Sequence, residues 1–251
     1  MMSLPPVFLR LPIAHRGLHD ATIPENSLAA IEAAVQAGYG IEIDIQPAAG
    51  NVPMVFHDYD LTRLVGDEGY IADIDPDELE AMRLKNSDHG IPTLAAALRA
   101  VDGQVPLLIE LKDQDGRLGD QIGDLHSHVA EQLQSYDGPV AVMSFNPHMV
   151  AAFHREAPQI PCGLTTCAFA QDDWPMLDEE TRDNLAAITD YDASGACFIS
   201  HDKGDLTNPR VDALKSEGTP ILCWTIRSAE QEATAREIAD NITFEGYKAS
   251  V

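Results

Sequence analysis

The segment GIEIDIQPAAGNVPMVFHD, residues 40–58, decides how this chain is read. Ile41, Ile43 and Ile45 alternate with Glu42 and Asp44. Successive strand side chains point to opposite faces, so the isoleucines share one face and the two acids share the other. A surface strand with two solvated acids fits that alternation, and so does a barrel strand with both acids inside. A second strand-like run, NVPMVFHD at 51–58, follows after only a few residues. Parallel neighbours need a crossover of a dozen residues or more, so this run returns antiparallel. Asp44 lies about six residues before the Gly50-Asn51 turn and His57 about six after it. That spacing predicts His57 beside the acids.

Working outward, apolar strand-like runs recur at 11–15, 40–45, 106–111, 139–145, 161–167, 196–200, 220–226 and 241–245. Helical segments with readable ends separate them. Asn26 or Ser27 starts PENSLAAIEAAVQAG and Gly38 stops it, with Leu28, Ile31 and Val35 as an apolar stripe. Asn146-Pro147 and Asn208-Pro209 each pair an N-cap with proline at the first helical position, and Gly218 ends the second of these helices. Ser228 and Gln231 have capping-box spacing. Eight strands alternating with helices predict an α/β fold, a (β/α)₈ TIM barrel, with the whole chain, 1–251, as one domain. A doubly wound open sheet is the alternative, but no glycine-rich fingerprint follows the first strand. The connection at 59–92 is longer than a compact barrel needs and predicts a small insertion capping the C-terminal face.

Of 251 residues, 45% are hydrophobic, enough for a normal core. Lys and Arg number 16 against 41 Asp and Glu, a net charge of −25. Such a surface repels nucleic acid and anionic membranes, so neither is an expected partner, and an anionic substrate needs a local cation to receive it. Cys162, Cys167, Cys197 and Cys223 sit in strand-like runs and read as reduced thiols rather than a disulfide or zinc framework. MMSLPPVFLR lacks signal-peptide grammar, and no apolar run has the roughly 18 residues of a membrane span. The expectation is a cytoplasmic protein with a small-molecule substrate; the oligomeric state is left open.

Glu110 ends another apolar strand, PLLIEL, with Lys112 two residues on and so on the same face. Glu42, Asp44 and Glu110 together make a hard oxygen site suited to one Mg²⁺ or Ca²⁺. His15 and His57 also fall at strand ends, and Arg16 follows His15. Active sites of this fold lie at the C-terminal face. A cation flanked by Arg16 and Lys112 suits a phosphate, and two imidazoles suit general base and general acid. The pattern reads as phosphodiester cleavage. Elsewhere, His126 and His128 are expected on a solvated helix face, and His201 away from the site.

The motifs AHRG (14–17), PENSLAA (24–30), EIDIQ (42–46), VFHDYDLTR (55–63), IPTLAAAL (91–98), LIELK (108–112), SFNP (144–147) and CWTI (223–226) are spread over most of the chain. In this order and spacing the sequence resembles the glycerophosphodiester phosphodiesterase family. The resemblance implies a TIM barrel with an insertion after the His-Asp pair and a divalent cation on Glu42, Asp44 and Glu110. It also implies catalysis by His15 and His57, phosphate contacts from Arg16 and Lys112, and Trp224 at the barrel mouth near the substrate. The implied reaction is hydrolysis of a glycerophosphodiester to glycerol 3-phosphate and an alcohol. Two departures stand out, PAAGN (47–51) after the acidic strand and NITFEGY (241–247) at the last, where Glu245 is expected to face solvent. Two other readings stay open: a cyclising lyase acting on lysophospholipids, and a non-catalytic barrel that binds glycerophosphodiesters. A lipid substrate calls for an apolar rim or a basic patch, and neither is legible in the sequence.

Overall fold

The computed structural model describes residues 3–250, so Met1 and Met2 of the N-terminal reading lie outside the described residues. Its strands are β1 (Ile13–Ala14), β2 (Gly40–Pro47), β3 (Pro53–Val55), β4 (Leu107–Leu111), β5 (Val140–Ser144), β6 (Cys162–Thr166), β7 (Ile199–Asp202), β8 (Ile221–Ile226) and β9 (Asn241–Phe244). All except β3 pair in parallel and run β1-β9-β8-β7-β6-β5-β4-β2, and β1 pairs with β2 to close an eight-stranded barrel. β1 is only two residues long, so the far end of β2 has a free edge. β3 fills it antiparallel, with Ile45 opposite Val55 and Gln46 opposite Met54.

The alternation at 41–45 sorts as the pleat requires. Ile41, Ile43 and Ile45 join Leu107, Ile109 and Leu111 in the layer beneath the helices, all fully buried. The opposite face lines the barrel. Its N-terminal half is filled by Phe8, Leu108, Met143, Phe198 and Leu222. Phe198 lies where a Cβ on Gly163 would stand, 2.5 Å from its ring, so this layer tolerates no side chain there. Truncating such a residue to alanine costs about 3–5 kcal/mol.

The helices are α1 (Leu28–Ala37), α2 (Pro76–Ala81), α3 (Leu94–Val101), α4 (Leu125–Leu133), α5 (Pro147–Glu156), α6 (Glu179–Ala186), α7 (Tyr191–Ser194), α8 (Pro209–Ser216) and α9 (Ala229–Ala235). Ser27 caps α1 by accepting from the Ala30 amide, and Gly38 ends it at φ 75°. Asn146 and Asn208 cap α5 and α8 ahead of their prolines. Ser228 accepts from the Gln231 amide, but the Gln231 side chain accepts from the Arg227 amide instead of closing the box on Ser228. One expectation fails on α4. His126 is buried rather than solvated, because α4 turns it toward α5, with Nε2 3.3 Å from Glu156. No helix among the described residues is long and apolar enough to cross a membrane.

The insertion after β3 builds its own core from Leu61, Ile71, Leu79, Leu84 and Ile91, packed on Ala48, Met54 and Phe56 of the β2–β3 hairpin. The barrel therefore keeps its shape while a side wall rises beside its C-terminal end.

Candidate active site

His15, Arg16, Glu42, Asp44, His57, Glu110, Lys112 and Trp224 all line one cavity of about 190 Å³ inside the barrel. Parallel register sets Asp44 of β2 opposite Glu110 of β4, with Glu42 one pleat below. The three carboxylates are buried, and each offers an oxygen within 4.8 Å of the others. Lys112 Nζ lies 2.7 Å from Asp44 Oδ1 and also donates to Glu110. Asn26 donates to Asp44 Oδ2 at 2.8 Å, and the Arg16 amide donates to Glu42 Oε2 at 2.9 Å. Arg16 itself sits in the left-handed region at φ 55°.

Charge in this cluster is unevenly balanced. Burial, then the Asp44 and Glu110 charges, push the Glu42 carboxyl well above its usual range. Burial acts on Asp44 in the same sense, but Lys112, His57 and Arg16 overcome it and hold that carboxyl low. Two carboxylates can be neutralised by Arg16 and Lys112; the third has no cation of its own. A divalent ion fits this donor set, which is all oxygen and buried. Arg16 Nε is buried and makes no hydrogen bond, although it lies 3.2 Å from Asp44, so one guanidinium donor is left for a ligand.

Each histidine carries a carboxylate on Nδ1. Glu245 Oε2 lies 2.5 Å from His15 Nδ1, and Asp58 Oδ1 lies 2.8 Å from His57 Nδ1. An ionised carboxylate only accepts, so each Nδ1 holds the proton and each Nε2 is left for the cavity that both rings line. Glu245 does not face solvent as expected. Its side chain is 19% exposed and also lies 3.6 Å from His19 Nε2. His15 and His19, with Arg227, hold its carboxyl far below the usual range. His201 is fully buried, bonded to Thr166 and to the Asp205 carbonyl, and lies outside the cavity lining.

A further web ties the two histidine strands together. Arg63, from the insertion, donates to Asp58 at 2.7 Å and to both oxygens of Glu25 at 3.0 and 2.8 Å. Glu25 in turn accepts from Arg16 at 2.6 Å. Burial would raise the Asp58 carboxyl, but bonds from His57 and Arg63 bring it down to about 2.

Residues 15–240 match the model of the glycerophosphoryl diester phosphodiesterase family. The chain belongs to this family. It is thus an enzyme of the phosphoric diester hydrolase class. The glycerophosphodiester phosphodiesterase of Caldanaerobacter subterraneus is 26% identical over 92% of both chains. Glycerophosphodiester phosphodiesterase 1 of Mus musculus is 38% identical over 88% of this chain and 72% of its own. Among solved structures, an Oleispira antarctica phosphodiesterase in complex with the product sn-glycerol-3-phosphate shares the fold. It has a TM-score of 0.73 and 24% identity, covering 95% of this chain and 94% of its own.

In this phosphodiesterase the inner site opens into a second cavity of about 840 Å³. Tyr59, Asp60, Thr62 and Arg63 form one wall; Asp173, Trp174, Pro175 and Met176, from the loop after β6, form another. Phe145 packs on Trp174 and Trp224 at centroid distances of 5.2 and 5.5 Å. This apolar wall is not legible in the sequence, because it stands on the loop after β6. Its aromatic residues stand in an irregular stretch, where no period marks which side they face.

Proposed function

We propose that the chain hydrolyses glycerophosphodiesters to glycerol 3-phosphate and an alcohol, with His15 and His57 as the acid–base pair. The observation that carries this is the pair of histidines, each bonded to a carboxylate at Nδ1, that line the same small cavity as Glu42, Asp44 and Glu110. Those three acids would hold Mg²⁺ or Ca²⁺, which when bound polarises a phosphoryl oxygen. Arg16 and Lys112 neutralise the remaining phosphate charge and orient the diester. One imidazole Nε2 takes a proton from the attacking oxygen, and the other returns one to the departing alkoxide. Trp224 walls the path of the substrate. The net charge of −25 supports a small solute rather than nucleic acid or an anionic membrane as partner, and four free cysteines suit a reducing cytoplasm.

The test is release of glycerol 3-phosphate from glycerophosphoethanolamine and glycerophosphocholine by chelator-stripped protein, with Mg²⁺, Ca²⁺ or neither restored. Release that depends on an added ion, and falls roughly 10²–10⁴-fold in His15→Ala and His57→Ala, supports the reading. Near-full turnover in metal-loaded His57→Ala would overturn the two-histidine scheme.

A further inference from the structure

The mechanism above gives His19 no task. Its Nε2 is buried and makes no hydrogen bond. Glu245 Oε2 stands 3.6 Å away, too far for one. A buried ring nitrogen without a partner needs an explanation, and a bound ion is one. Apart from the three acids, the described residues bring one further group of metal-ligating side chains together, and His19 belongs to it. His15, His19 and Glu245 each offer a ligand atom within 4.8 Å of the other two. Glu245 Oε2 is the hub, 2.5 Å from His15 Nδ1 and 3.6 Å from His19 Nε2.

The backbone holds all three in place. The His15 amide donates to the Phe244 carbonyl at 2.9 Å, which sets Glu245 beside it. The chain then turns at Gly17, where φ is +76°. The Leu18 amide donates to the Ala30 carbonyl at 2.8 Å and the His19 amide to the Gly17 carbonyl at 3.0 Å, so His19 comes back to the pair. Arg227 donates to Glu245 Oε1 at 2.7 Å, which leaves Oε2 to the two rings. Donors around a tetrahedral zinc, with bonds of about 2.0–2.2 Å, stand roughly 3.3–3.6 Å apart. His19 and Glu245 already have that spacing, and His15 and Glu245 need to part by only about 1 Å to reach it. Two nitrogens and one oxygen suit a borderline ion such as zinc, whereas the all-oxygen set of Glu42, Asp44 and Glu110 suits a hard one. His19 also lines a cavity of about 230 Å³ with Asp20, Glu25 and Lys85, which shares no lining residue with the inner cavity. An ion thus has an approach separate from that of the substrate.

We propose that His15, His19 and Glu245 form a second cation site, selective for Zn²⁺ over Mg²⁺ and Ca²⁺, and that its occupation switches hydrolysis off. The switch rests on the acid–base role proposed above for His15. Zinc binds through the Nδ1 lone pair, so the single proton of the neutral ring passes through water to Nε2 as the Zn–N bond forms. Nε2 then has no lone pair with which to take a proton. A neutral ring is also a far weaker acid than an imidazolium, so both roles open to His15 are lost. The cation on the three acids need not leave. A plain hydrogen-bonded pair accounts for His15 and Glu245 but leaves His19 without a partner.

The experiment uses the full chain, stripped with chelator and saturated with whichever of Mg²⁺ and Ca²⁺ supports release of glycerol 3-phosphate from glycerophosphoethanolamine. Zinc is titrated in with that ion in excess. Turnover should fall roughly 100-fold or more at saturating zinc, as for loss of one acid–base group, and more Mg²⁺ or Ca²⁺ should not restore it. Even outer partners of a metal site are worth roughly 10–100-fold in affinity, so His19→Asn, judged against its own zinc-free rate, should need at least about tenfold more zinc. Co²⁺ added to the Mg²⁺- or Ca²⁺-saturated parent needs no variant. A four- or five-coordinate nitrogen–oxygen site gives intense visible bands that zinc then bleaches, and an octahedral oxygen site gives only weak ones. Inhibition that Mg²⁺ or Ca²⁺ relieves, and that is equal in His19→Asn, would put zinc on the three acids and overturn the proposal. So would weak cobalt bands, or full turnover at saturating zinc; each leaves the phosphodiesterase reading standing. Hydrolysis with no ion at all would remove that reading and the switch with it, and the cobalt spectrum would still decide the site.

Discussion

Glu245 Oε2 lies 2.5 Å from His15 Nδ1, though 230 positions separate the two residues in the chain. Barrel closure brings them together. β1 and β9 pair with Ala14 opposite Phe244, and the His15 amide donates to the Phe244 carbonyl at 2.9 Å. The residues just beyond that pair emerge side by side at the C-terminal rim. Burial lowers the His15 pKa, and the bond to Glu245 pulls it partly back.

Glu245→Gln removes the charge and keeps the shape. The His15 pKa then falls further, and the limb of the pH–rate profile set by His15 protonation moves to lower pH. Turnover falls roughly 10²–10³-fold as the ring loses its fixed tautomer. A kcat/KM profile between about pH 5 and 9 checks both effects. An unmoved limb would mean that His15 does not set it.

Asp58 gives a stability signature. Its folded pKa of about 2 is below the ordinary value of roughly 3.9, so the clamp on His57 and Arg63 stabilises fully above about pH 4. It fades as pH drops toward 2. Asp58→Asn should therefore be less stable than the parent at neutral pH, with the gap between their urea midpoints closing below about pH 4. A gap independent of pH would show that charge is not what the clamp contributes.

Glu42 should behave in the opposite sense. Its pKa is raised by burial and by two neighbouring carboxylates, so the ionised form costs stability at every pH above the ordinary carboxyl range, and that cost is absent below it. Glu42→Gln keeps an acceptor for the Arg16 amide and relieves the repulsion. In metal-free protein at neutral pH its melting temperature should rise, each kcal/mol giving about 2–4 °C for a chain of this size. On the proposed metal site, added Mg²⁺ or Ca²⁺ should raise the melting temperature of the parent and not that of this variant.

Gly17→Ala tests the corner that places His15 and Arg16. Gly17 stands at φ +76°, and an added Cβ would sit 2.8 Å from the carbonyl carbon and Cβ of Ala30. Backbone cannot yield as a flexible side chain would. The variant should lose at least about 1–2 kcal/mol and lose turnover with it, read by thermal melting beside the hydrolysis assay.

Much of this was legible because period and register are local properties. The alternation at 41–45 put Glu42 and Asp44 on one face, the eight-strand pattern made the barrel interior a candidate for that face, and the short return at 51–58 put His57 beside them. The caps Ser27, Asn146 and Asn208 read directly from residue type. Glu245 was missed because its partner is distant in sequence and its own segment, FEGY, carries no period to orient it. His126 was missed because the fate of a polar residue on a helix depends on what the next helix presents. Glu25 and Arg63 stood within recognised motifs, but the bidentate pair that joins them is visible only in three dimensions.

The seam between β1 and β9 has a consequence for how the molecule is made. His15 is made 230 residues before its carboxylate partner, which follows β9, and the two meet only when Ile13 and Ala14 find Thr243 and Phe244. A nascent chain can therefore carry a finished acid cluster on β2 and β4 while its first histidine has no partner. The His15–Glu245 pair forms only once β9 and the residue after it have been made, and a product truncated before Glu245 lacks it.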